Sequence, residues 1–157
     1  MLVGAGTVLT PEQLRDADEA GAAFAVAPGM NPAVVSAARD RGVNFAPGVM
    51  TPSDIEQALA FGCRLLKFFP AEAAGGLSLL KSMAAPYLHL GLSFIPLGGL
   101  KPENTVKYFE SPLIAACGGS WICSRQEIEA EQWDAIRSKA RQAAELAREA
   151  RDVAVRA

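Results

Sequence analysis

Short apolar stretches recur along the chain and alternate with segments whose apolar residues follow a helical spacing. The apolar stretches begin at intervals of 20 to 28 residues, near Leu2, Ala23, Val43, Arg64, Leu92 and Leu113. Each is short and ends in Gly, Pro or another small residue, which is typical of a strand. The segments between them predict helices over residues 11–20, 32–41, 52–61, 76–85 and 102–109.

The helix-like segments share a starting signal. Thr10-Pro11, Asn31-Pro32 and Thr51-Pro52 each place a capping residue before a proline at the first helical position. Strands that alternate with helices at this spacing predict βα units and a parallel sheet. The fold class is therefore α/β, and two architectures fit: a doubly wound open sheet or a (β/α)8 barrel.

The last thirty residues have a different character. From about residue 127 to residue 157 the pattern predicts one long amphipathic helix, in which Trp133, Ile136, Ala140, Ala144 and Ala147 lie on one side. The remaining positions are rich in Arg, Glu and Gln and predict a solvated face. We expect this helix to carry no chemistry and the whole chain, 1–157, to be one domain.

Composition narrows the functional class. The formal net charge is -2, which gives no basic footprint for nucleic acid. The chain has neither the basic and apolar leader of a signal peptide nor an apolar run long enough for a membrane span. Three scattered cysteines and one histidine, His89, disfavour a zinc site and predict reduced, mostly buried thiols in a cytoplasmic protein. We expect no metal and no cofactor.

Lys67 is the most unusual residue because it interrupts the apolar run Leu65-Leu66-Lys67-Phe68-Phe69. In a strand, Leu65, Lys67 and Phe69 share one face, which places the amine beside an aromatic ring near the strand end. Burial lowers the pKa of a lysine and leaves a neutral amine that attacks carbonyls. The residues alone leave an alternative open, in which the stem covers apolar surface and the ammonium reaches water.

Glycine pairs follow the last two predicted strands. Gly98-Gly99 and Gly118-Gly119 fall at carboxyl ends, where parallel α/β folds bind ligands. Glycines let backbone N–H groups approach an anion closely, so two such pairs, the second followed by Ser120, favour an anion site over simple turns. Thr7 offers a further hydroxyl at the end of the first predicted strand.

Several motifs together resemble a known family. They are Val3 to Leu9, Pro28-Gly29, Pro47-Gly48, Lys67-Phe68-Phe69-Pro70-Ala71-Glu72, Gly98-Gly99 and Gly118-Gly119-Ser120-Trp121. In this order they resemble the 2-keto-3-deoxy-6-phosphogluconate (KDPG) aldolases, a family that includes the 4-hydroxy-2-oxoglutarate (KHG) aldolases. The similarity extends from Leu2 to about Glu149.

The resemblance implies a metal-free class I aldolase on a (β/α)8 barrel, usually a homotrimer. Its substrate would be the phosphorylated keto acid KDPG, which is split into pyruvate and glyceraldehyde 3-phosphate through a lysine Schiff base. It implies that Lys67 is the catalytic Schiff-base lysine, that Phe69 packs near the bound pyruvate, and that Thr7 and Pro28 line the pyruvoyl end. The carboxylate or phosphate side would be held by Gly98, Gly99, Gly119 and Ser120.

The chain departs from the family pattern in two places. It begins at what resembles the third strand, so we expect six βα units, strands three to eight of an incomplete barrel, with two exposed edges. The family's general acid/base glutamate and its carboxylate-binding arginine precede that point. In addition, Leu97 stands where many members carry a threonine.

Two alternatives to the aldolase hypothesis follow. The chain could be a catalytically impaired domain that binds phosphorylated metabolites or pairs its open edges with another chain. Since a positioned general acid/base is worth about a hundredfold or more in rate, we expect weak or no turnover from these residues alone. A different phosphate-binding barrel, such as an epimerase, would explain the glycine turns but not Lys67.

Overall fold

The computed structural model describes residues 2–156, and the side chains of residues 2–150. Six short strands cross it: Gly4–Ala5 (β1), Phe24–Val26 (β2), Phe45–Ala46 (β3), Gly48–Val49 (β4), Leu65–Phe68 (β5) and Ser93–Pro96 (β6). The helices are Pro11–Glu19 (α1), Pro32–Arg41 (α2), Pro52–Ala60 (α3), Ala71–Ala74 (α4), Gly76–Ala84 (α5), Pro102–Phe109 (α6), Arg125–Glu129 (α7) and Trp133–Arg156 (α8). A 3₁₀ helix, Ala85–Leu90, follows α5 and contains His89.

The strands form two parallel sheets, β1-β2-β3 and β4-β5-β6. The two sheets meet at Pro47, which separates β3 from β4. The β3–β4 segment pairs with β2 through Ala46 on one side and with β5 through Gly48 on the other. The predicted α/β class with a parallel sheet is therefore confirmed.

The contact between two Pro-Gly turns is unusually close. A Cβ atom placed on Gly48 would lie 2.1 Å from the Pro28 carbonyl oxygen, so only glycine fits there. The Gly48 N–H also donates a hydrogen bond to the Gly29 carbonyl at 3.2 Å. The carboxyl ends of β2 and of the β3–β4 segment are thus held together backbone to backbone.

The strand predicted near Leu113 is reduced to a single bridge. Phe94 of β6 pairs in parallel with Ile114, and its N–H donates to the Leu113 carbonyl at 2.7 Å. The Ala115 N–H donates back to the Phe94 carbonyl at 3.0 Å. The pairing is therefore where the pattern predicted it, but it is too short to count as a strand.

The predicted helix starts are confirmed in α1, α2 and α3. The side chains of Thr10, Asn31 and Thr51 each accept a hydrogen bond from a backbone N–H in the first helical turn. In α3, Asp54 also accepts from the Thr51 N–H and completes a capping box. These caps satisfy donors that the helix cannot satisfy itself, which explains why the helices begin at their prolines.

The prediction of one helix from about residue 127 is wrong at its start. The segment is two helices, α7 and α8, separated by residues 130–132, where Glu131 has a left-handed φ of 51°. The Ser124 side chain caps α7 through a capping box with Glu127, and Lys139 of α8 forms an ion pair with Glu127. Trp133, assigned to the apolar side, is 52% exposed. Ala157, the predicted end, lies outside the described residues.

Two apolar cores cover the sheets. The smaller one contains five buried residues around β1 to β3, among them Leu14 and Val34. The larger one contains thirteen buried residues around β4 to β6, including Phe68, Phe94 and Tyr108. Within residues 2–156, no helix has both the length and the apolar character that crossing a bilayer requires.

Candidate active site

Lys67 lies in the third position of β5, and its surroundings explain its chemistry. Its neighbours Leu66 and Phe68 are fully buried on the opposite face of the strand, as the alternating pattern predicts. Lys67 is itself only 7% exposed, so nearly all of its side chain is removed from water. Its N–H donates to the Pro47 carbonyl at 2.8 Å, which fixes the strand position.

The Lys67 amine is held without a counterion. None of the ion pairs among the described residues includes it. Its Nζ lies over the Phe69 ring, 4.7 Å from the ring centroid. Burial lowers the pKa of Lys67 because removal from water disfavours the ammonium. A larger fraction of the amine is therefore neutral, and nucleophilic, near neutral pH than for an ordinary lysine.

Phe69 connects the lysine to the glycine turns. A Cβ atom on Gly98 would lie 3.2 Å from the Phe69 ring, so the ring packs against this turn. The same ring borders a cavity of about 500 Å³ at the carboxyl end of β6. The cavity is lined by Phe69, Leu97, Gly98, Gly99, Leu100, Lys101, Gly118, Gly119, Ser120 and Trp121. The structure therefore brings both predicted diglycine turns and Phe69 to one place.

The two turns need glycine for different reasons. Gly98 and Gly99 adopt left-handed φ angles of 97° and 82°, which side chains disfavour. At Gly119, a Cβ atom would lie 2.6 Å from the Trp121 ring and 3.0 Å from the Leu100 carbonyl oxygen. Backbone atoms rather than side chains thus form much of the cavity wall.

Backbone donors at this cavity are available. Within the described part of the chain, the N–H groups of Gly98, Gly99, Gly119 and Ser120 donate to no protein acceptor. Unpaired N–H groups at the start of a helix form a favourable site for an anion such as phosphate. The exposed Lys101 adds a positive side chain to the lining.

Thr7 and Pro28 do not reach this cavity. The residues described as lining it include neither of them, nor Lys67. Thr7 is exposed and holds a left-handed φ of 59°, and Pro28 is half-buried with its carbonyl against Gly48. Both lie at the carboxyl ends of their strands, but their contact with a substrate stays a prediction.

Two side-chain contacts lie behind the diglycine turn, and local sequence patterns do not predict the first of them. The Tyr108 hydroxyl donates to Glu72 Oε1 at 2.5 Å, although 36 residues separate the two. Asn104 Nδ2 donates to the Gly99 carbonyl at 3.3 Å, and Asn104 Oδ1 accepts from the Lys101 N–H at 2.7 Å. Only the Asn104 contact had a signal, since a capping side chain three residues after a helix start is common.

A second, larger cavity lies at the amino ends of the strands. It measures about 640 Å³ and is mostly apolar, with Phe24, Phe45 and Leu65 in its wall. It shares no lining residue with the cavity at the diglycine turns. Because ligands of parallel α/β folds bind at the carboxyl ends, the cavity at the diglycine turns is the candidate ligand site.

Metal-binding and thiol groups are sparse near the site. Among the described residues, no group of three or more His, Cys, Asp or Glu side chains is arranged to hold a metal ion. Cys63 and Cys117 are half-buried, and burial raises the pKa of the Cys63 thiol. Cys123 is exposed, so the prediction of mostly buried thiols is wrong for this residue.

Known proteins resemble this chain over most of its length. The sequence profile of the family KDPG and KHG aldolase matches residues 1–139. The 2-dehydro-3-deoxy-phosphogluconate aldolase of Treponema pallidum is 41% identical over 146 residues, which are 93% of this chain and 69% of the relative. That of Haemophilus influenzae is 44% identical over 135 residues, 86% of this chain and 63% of the relative.

A solved structure agrees with the sequence comparison. The KDPG aldolase of Legionella pneumophila, with pyruvate captured as a covalent carbinolamine, superposes with a TM-score of 0.83 at 37% identity. The match covers 88% of this chain and 66% of that structure. This chain thus spans about two thirds of the length of the proteins it matches. The chain belongs to the KDPG and KHG aldolase family.

Proposed function

We propose that this chain forms a Schiff base between Lys67 Nζ and the keto group of pyruvate, as a class I aldolase does. The substrate is KDPG, and KHG is accepted as well. One observation carries the proposal: a lysine that is 7% exposed, has a lowered pKa and lies 4.7 Å over the Phe69 ring. A buried amine without a counterion lowers stability, and its persistence is best explained by chemistry.

The reaction begins when the neutral amine of Lys67 attacks the C2 carbonyl of the keto acid. Water leaves, and an iminium links the substrate to the enzyme. As the C3–C4 bond breaks, its electrons move into the iminium and the C4 hydroxyl passes its proton to a solvent water molecule. The aldehyde departs, a proton returns to C3, and hydrolysis releases pyruvate and restores the amine. The iminium supplies the electron sink that this cleavage needs.

The phosphate of the substrate binds at the diglycine turns. The N–H groups of Gly98, Gly99, Gly119 and Ser120 have no protein acceptor among the described residues and line or border the cavity beside Phe69. Lys101 contributes attraction at longer range.

Thr7 and Pro28 are assigned to the pyruvoyl end. Gly48 pairs in register with Lys67, and the Pro28 carbonyl lies against Gly48, which places Pro28 one strand away from the lysine. The Val8 N–H donates to the Val26 carbonyl at 3.1 Å, so Thr7 borders the same end of β2. Both positions support the assignment without a direct contact.

We extend the proposal to the architecture. Because β3 and β4 form one segment, the sheet has six parallel segments: β1, β2, β3–β4, β5, β6 and the bridge at Ile114. They follow one another in chain order, which is the order of an arc of a (β/α)8 barrel. We infer one domain of six βα units that corresponds to strands three to eight. The homotrimer and the cytoplasmic location stay predictions, and light scattering of the purified chain tests the first.

Borohydride trapping tests the central step. The chain is incubated with pyruvate and borohydride, digested, and searched by mass spectrometry for a reduced adduct on the peptide that contains Lys67. We expect an adduct there, none in Lys67→Ala, and normal trapping in the control Lys81→Ala, whose lysine is exposed on α5. Failure to trap an adduct in the wild type, or an adduct that survives in Lys67→Ala, would refute the proposal.

A second candidate is a domain that binds phosphorylated keto acids without rapid cleavage. It is favoured by the extent of the match, since the chain covers 63% to 69% of the two curated relatives. Cleavage of KDPG, followed through the pyruvate produced, separates the two. Turnover near that of a full-length relative would exclude the second candidate, and trapping without turnover would favour it.

A further inference from the structure

The segment that follows β5 is joined to the diglycine turn after β6. The Ala71 N–H donates to the Leu97 carbonyl at 2.8 Å, and the Glu72 N–H donates to the Gly98 carbonyl at 3.0 Å. These two bonds continue the strand pairing beyond the ends of β5 and β6. The turn therefore takes its position from the chain that carries Lys67.

Glu72 also supports the turn through its side chain. A Cβ atom on Gly99 would lie 2.8 Å from Glu72 Cβ, so the two residues are in close contact. The Glu72 carboxylate accepts a 2.5 Å hydrogen bond from the hydroxyl of Tyr108, which is 2% exposed. Burial, and then the bond to Glu72, raise the pKa of Tyr108, so its hydroxyl remains a donor. Tyr108 thereby fixes the orientation of an otherwise exposed glutamate.

Both carbonyl groups of the diglycine turn are occupied by protein donors. The Gly98 carbonyl accepts from the Glu72 N–H, and the Gly99 carbonyl accepts from Asn104 Nδ2 at 3.3 Å. Among the described residues, the N–H groups of the same two glycines have no acceptor. Protein donors therefore hold the turn through its two carbonyl groups, and its two N–H groups remain available to a ligand.

We propose that Glu72 and Tyr108 are positioning residues that hold the Gly98-Gly99 turn in the shape that binds the phosphate of the substrate. The inference rests on the proposed function, because it assigns this turn to the phosphate. It also assigns the pair a role in selectivity: it supports binding of phosphorylated keto acids and leaves the reaction of Lys67 with pyruvate unchanged.

The role of Glu72 is to accept a hydrogen bond and not to carry charge. A carboxylate beside a phosphate site repels the ligand, so charge alone predicts that its removal strengthens binding. A positioning role predicts that phosphate binding survives in Glu72→Gln, because glutamine keeps an acceptor oxygen. It also predicts that phosphate binding weakens when the acceptor is lost in Glu72→Ala or the donor is lost in Tyr108→Phe. Glu72→Gln and Glu72→Ala separate these explanations.

The chain offers a matched control. The Tyr87 hydroxyl donates to Glu56 Oε1 at 2.9 Å, which is the same pair of groups on the surface. Neither residue lines the cavity at the diglycine turns. Tyr87→Phe therefore removes an equivalent hydrogen bond without altering that turn.

The experiment titrates inorganic phosphate into ¹⁵N-labelled protein and follows the amide signals of Gly98 and Gly99. We expect Kd for phosphate to rise about three- to tenfold in Tyr108→Phe and Glu72→Ala, the range for loss of one hydrogen bond. Kd in Glu72→Gln should stay within about twofold of the wild type, and Tyr87→Phe should match it. The yield of borohydride-trapped pyruvate on Lys67 should be the same in all five proteins.

Three results would overturn the inference. They are unchanged phosphate binding in folded Tyr108→Phe, an equal loss of phosphate binding and pyruvate trapping, and no response of the wild-type glycine amides to phosphate. If Tyr108→Phe does not fold, Glu72→Ala tests the same hydrogen bond, because it changes the exposed partner. Trapping at Lys67 is scored separately, so the Schiff-base proposal survives or fails independently of this one.

Discussion

The two halves of the parallel sheet differ in how firmly they are packed. The core around β1 to β3 holds five buried apolar residues, whereas the core around β4 to β6 holds thirteen. Lys67, Phe69 and both diglycine turns all belong to the second half or its loops. The proposed site residues thus lie where packing leaves side chains the least freedom, and the proposed reaction of the amine would benefit from that rigidity.

The two halves differ in how well a phenylalanine of one of their strands is covered. Phe24 of β2 is 40% exposed and borders the larger cavity, while Phe94 of β6 is fully buried. Leu2 and Val3, before β1, are also exposed. Since both halves use the same strand and helix pattern, the difference comes from what covers each strand and not from its sequence type.

The largest effect on pyruvate trapping is expected when the second half loses the Lys67 amine. In Lys67→Met, borohydride should trap no pyruvate, because no nucleophile remains. The free energy of unfolding at neutral pH should rise, because a thioether replaces a desolvated ammonium. Lys81→Met, at an exposed position of α5, is the control and should change neither quantity. A destabilised Lys67→Met would contradict the account.

The same variant tests the sign of the pKa shift. The folded pKa of Lys67 is below the ordinary lysine value of 10.5, so the unfolded chain binds more protons between the two values. The free energy of unfolding of the wild type should therefore rise with pH through that window. Lys67→Met should remove this rise, as urea denaturation at several pH values will measure.

Two phenylalanine-to-alanine variants, one in each half, measure the difference in packing directly. Phe94→Ala should lower the free energy of unfolding by about 3–5 kcal/mol, the usual cost of emptying a fully buried site. Phe24→Ala should cost about 1 kcal/mol, because its ring is already partly in water. Urea denaturation of the two variants beside the wild type gives both values, and equal losses would show that the halves are equally packed.

The pH dependence of trapping sharpens the assignment of the amine. The rate of imine formation at low pyruvate concentration should rise with pH as the ammonium of Lys67 loses its proton. Because burial lowers the pKa of Lys67, the midpoint should lie below 10.5. A midpoint at or above that value would mean that the amine is hydrated, and the packing of the second half would not explain its reactivity.

The smallest effect is expected far from the sheet, at the α7–α8 junction. The bond from Lys139, followed by those from Ser124, lowers the pKa of Glu127 to about 2. Its stabilising effect is present above about pH 4.5 and is lost as the pH falls from there toward 2. Thermal melts at pH 7 and pH 3 should differ less in Glu127→Gln than in the wild type, and Glu145→Gln should behave like the wild type.

Local sequence signals predicted most of the elements of the fold. The capping residue and proline at Thr10, Asn31 and Thr51 marked three helix starts correctly, because caps act within one turn. The alternation around Lys67 predicted its face of the strand, because side chains alternate along any strand. The diglycine pairs predicted that both turns would meet at one place, because the carboxyl ends of neighbouring parallel strands lie at the same edge of the sheet.

Contacts between distant segments could not be read in the same way. The Glu72–Tyr108 bond depends on how α6 packs behind β6, which no local pattern encodes. The start of α7 did have a signal, the spacing of Ser124 and Glu127, but the strong amphipathic pattern that follows predicted one continuous helix. The strand predicted at Leu113 is a single bridge because a strand needs a neighbouring strand to pair with, and Ile114 pairs only with Phe94.

The meeting of the two Pro-Gly turns limits how a chain of this kind can diversify. At Gly48, the strand partner of Lys67, the enclosure is main chain, and any side chain there would collide with the Pro28 carbonyl. Phe69 and Leu97, at the diglycine cavity, are side chains that single substitutions can replace. Descendants with altered keto-acid preferences should therefore carry their changes at residues 69 and 97, while residues 28–29 and 47–48 stay constant.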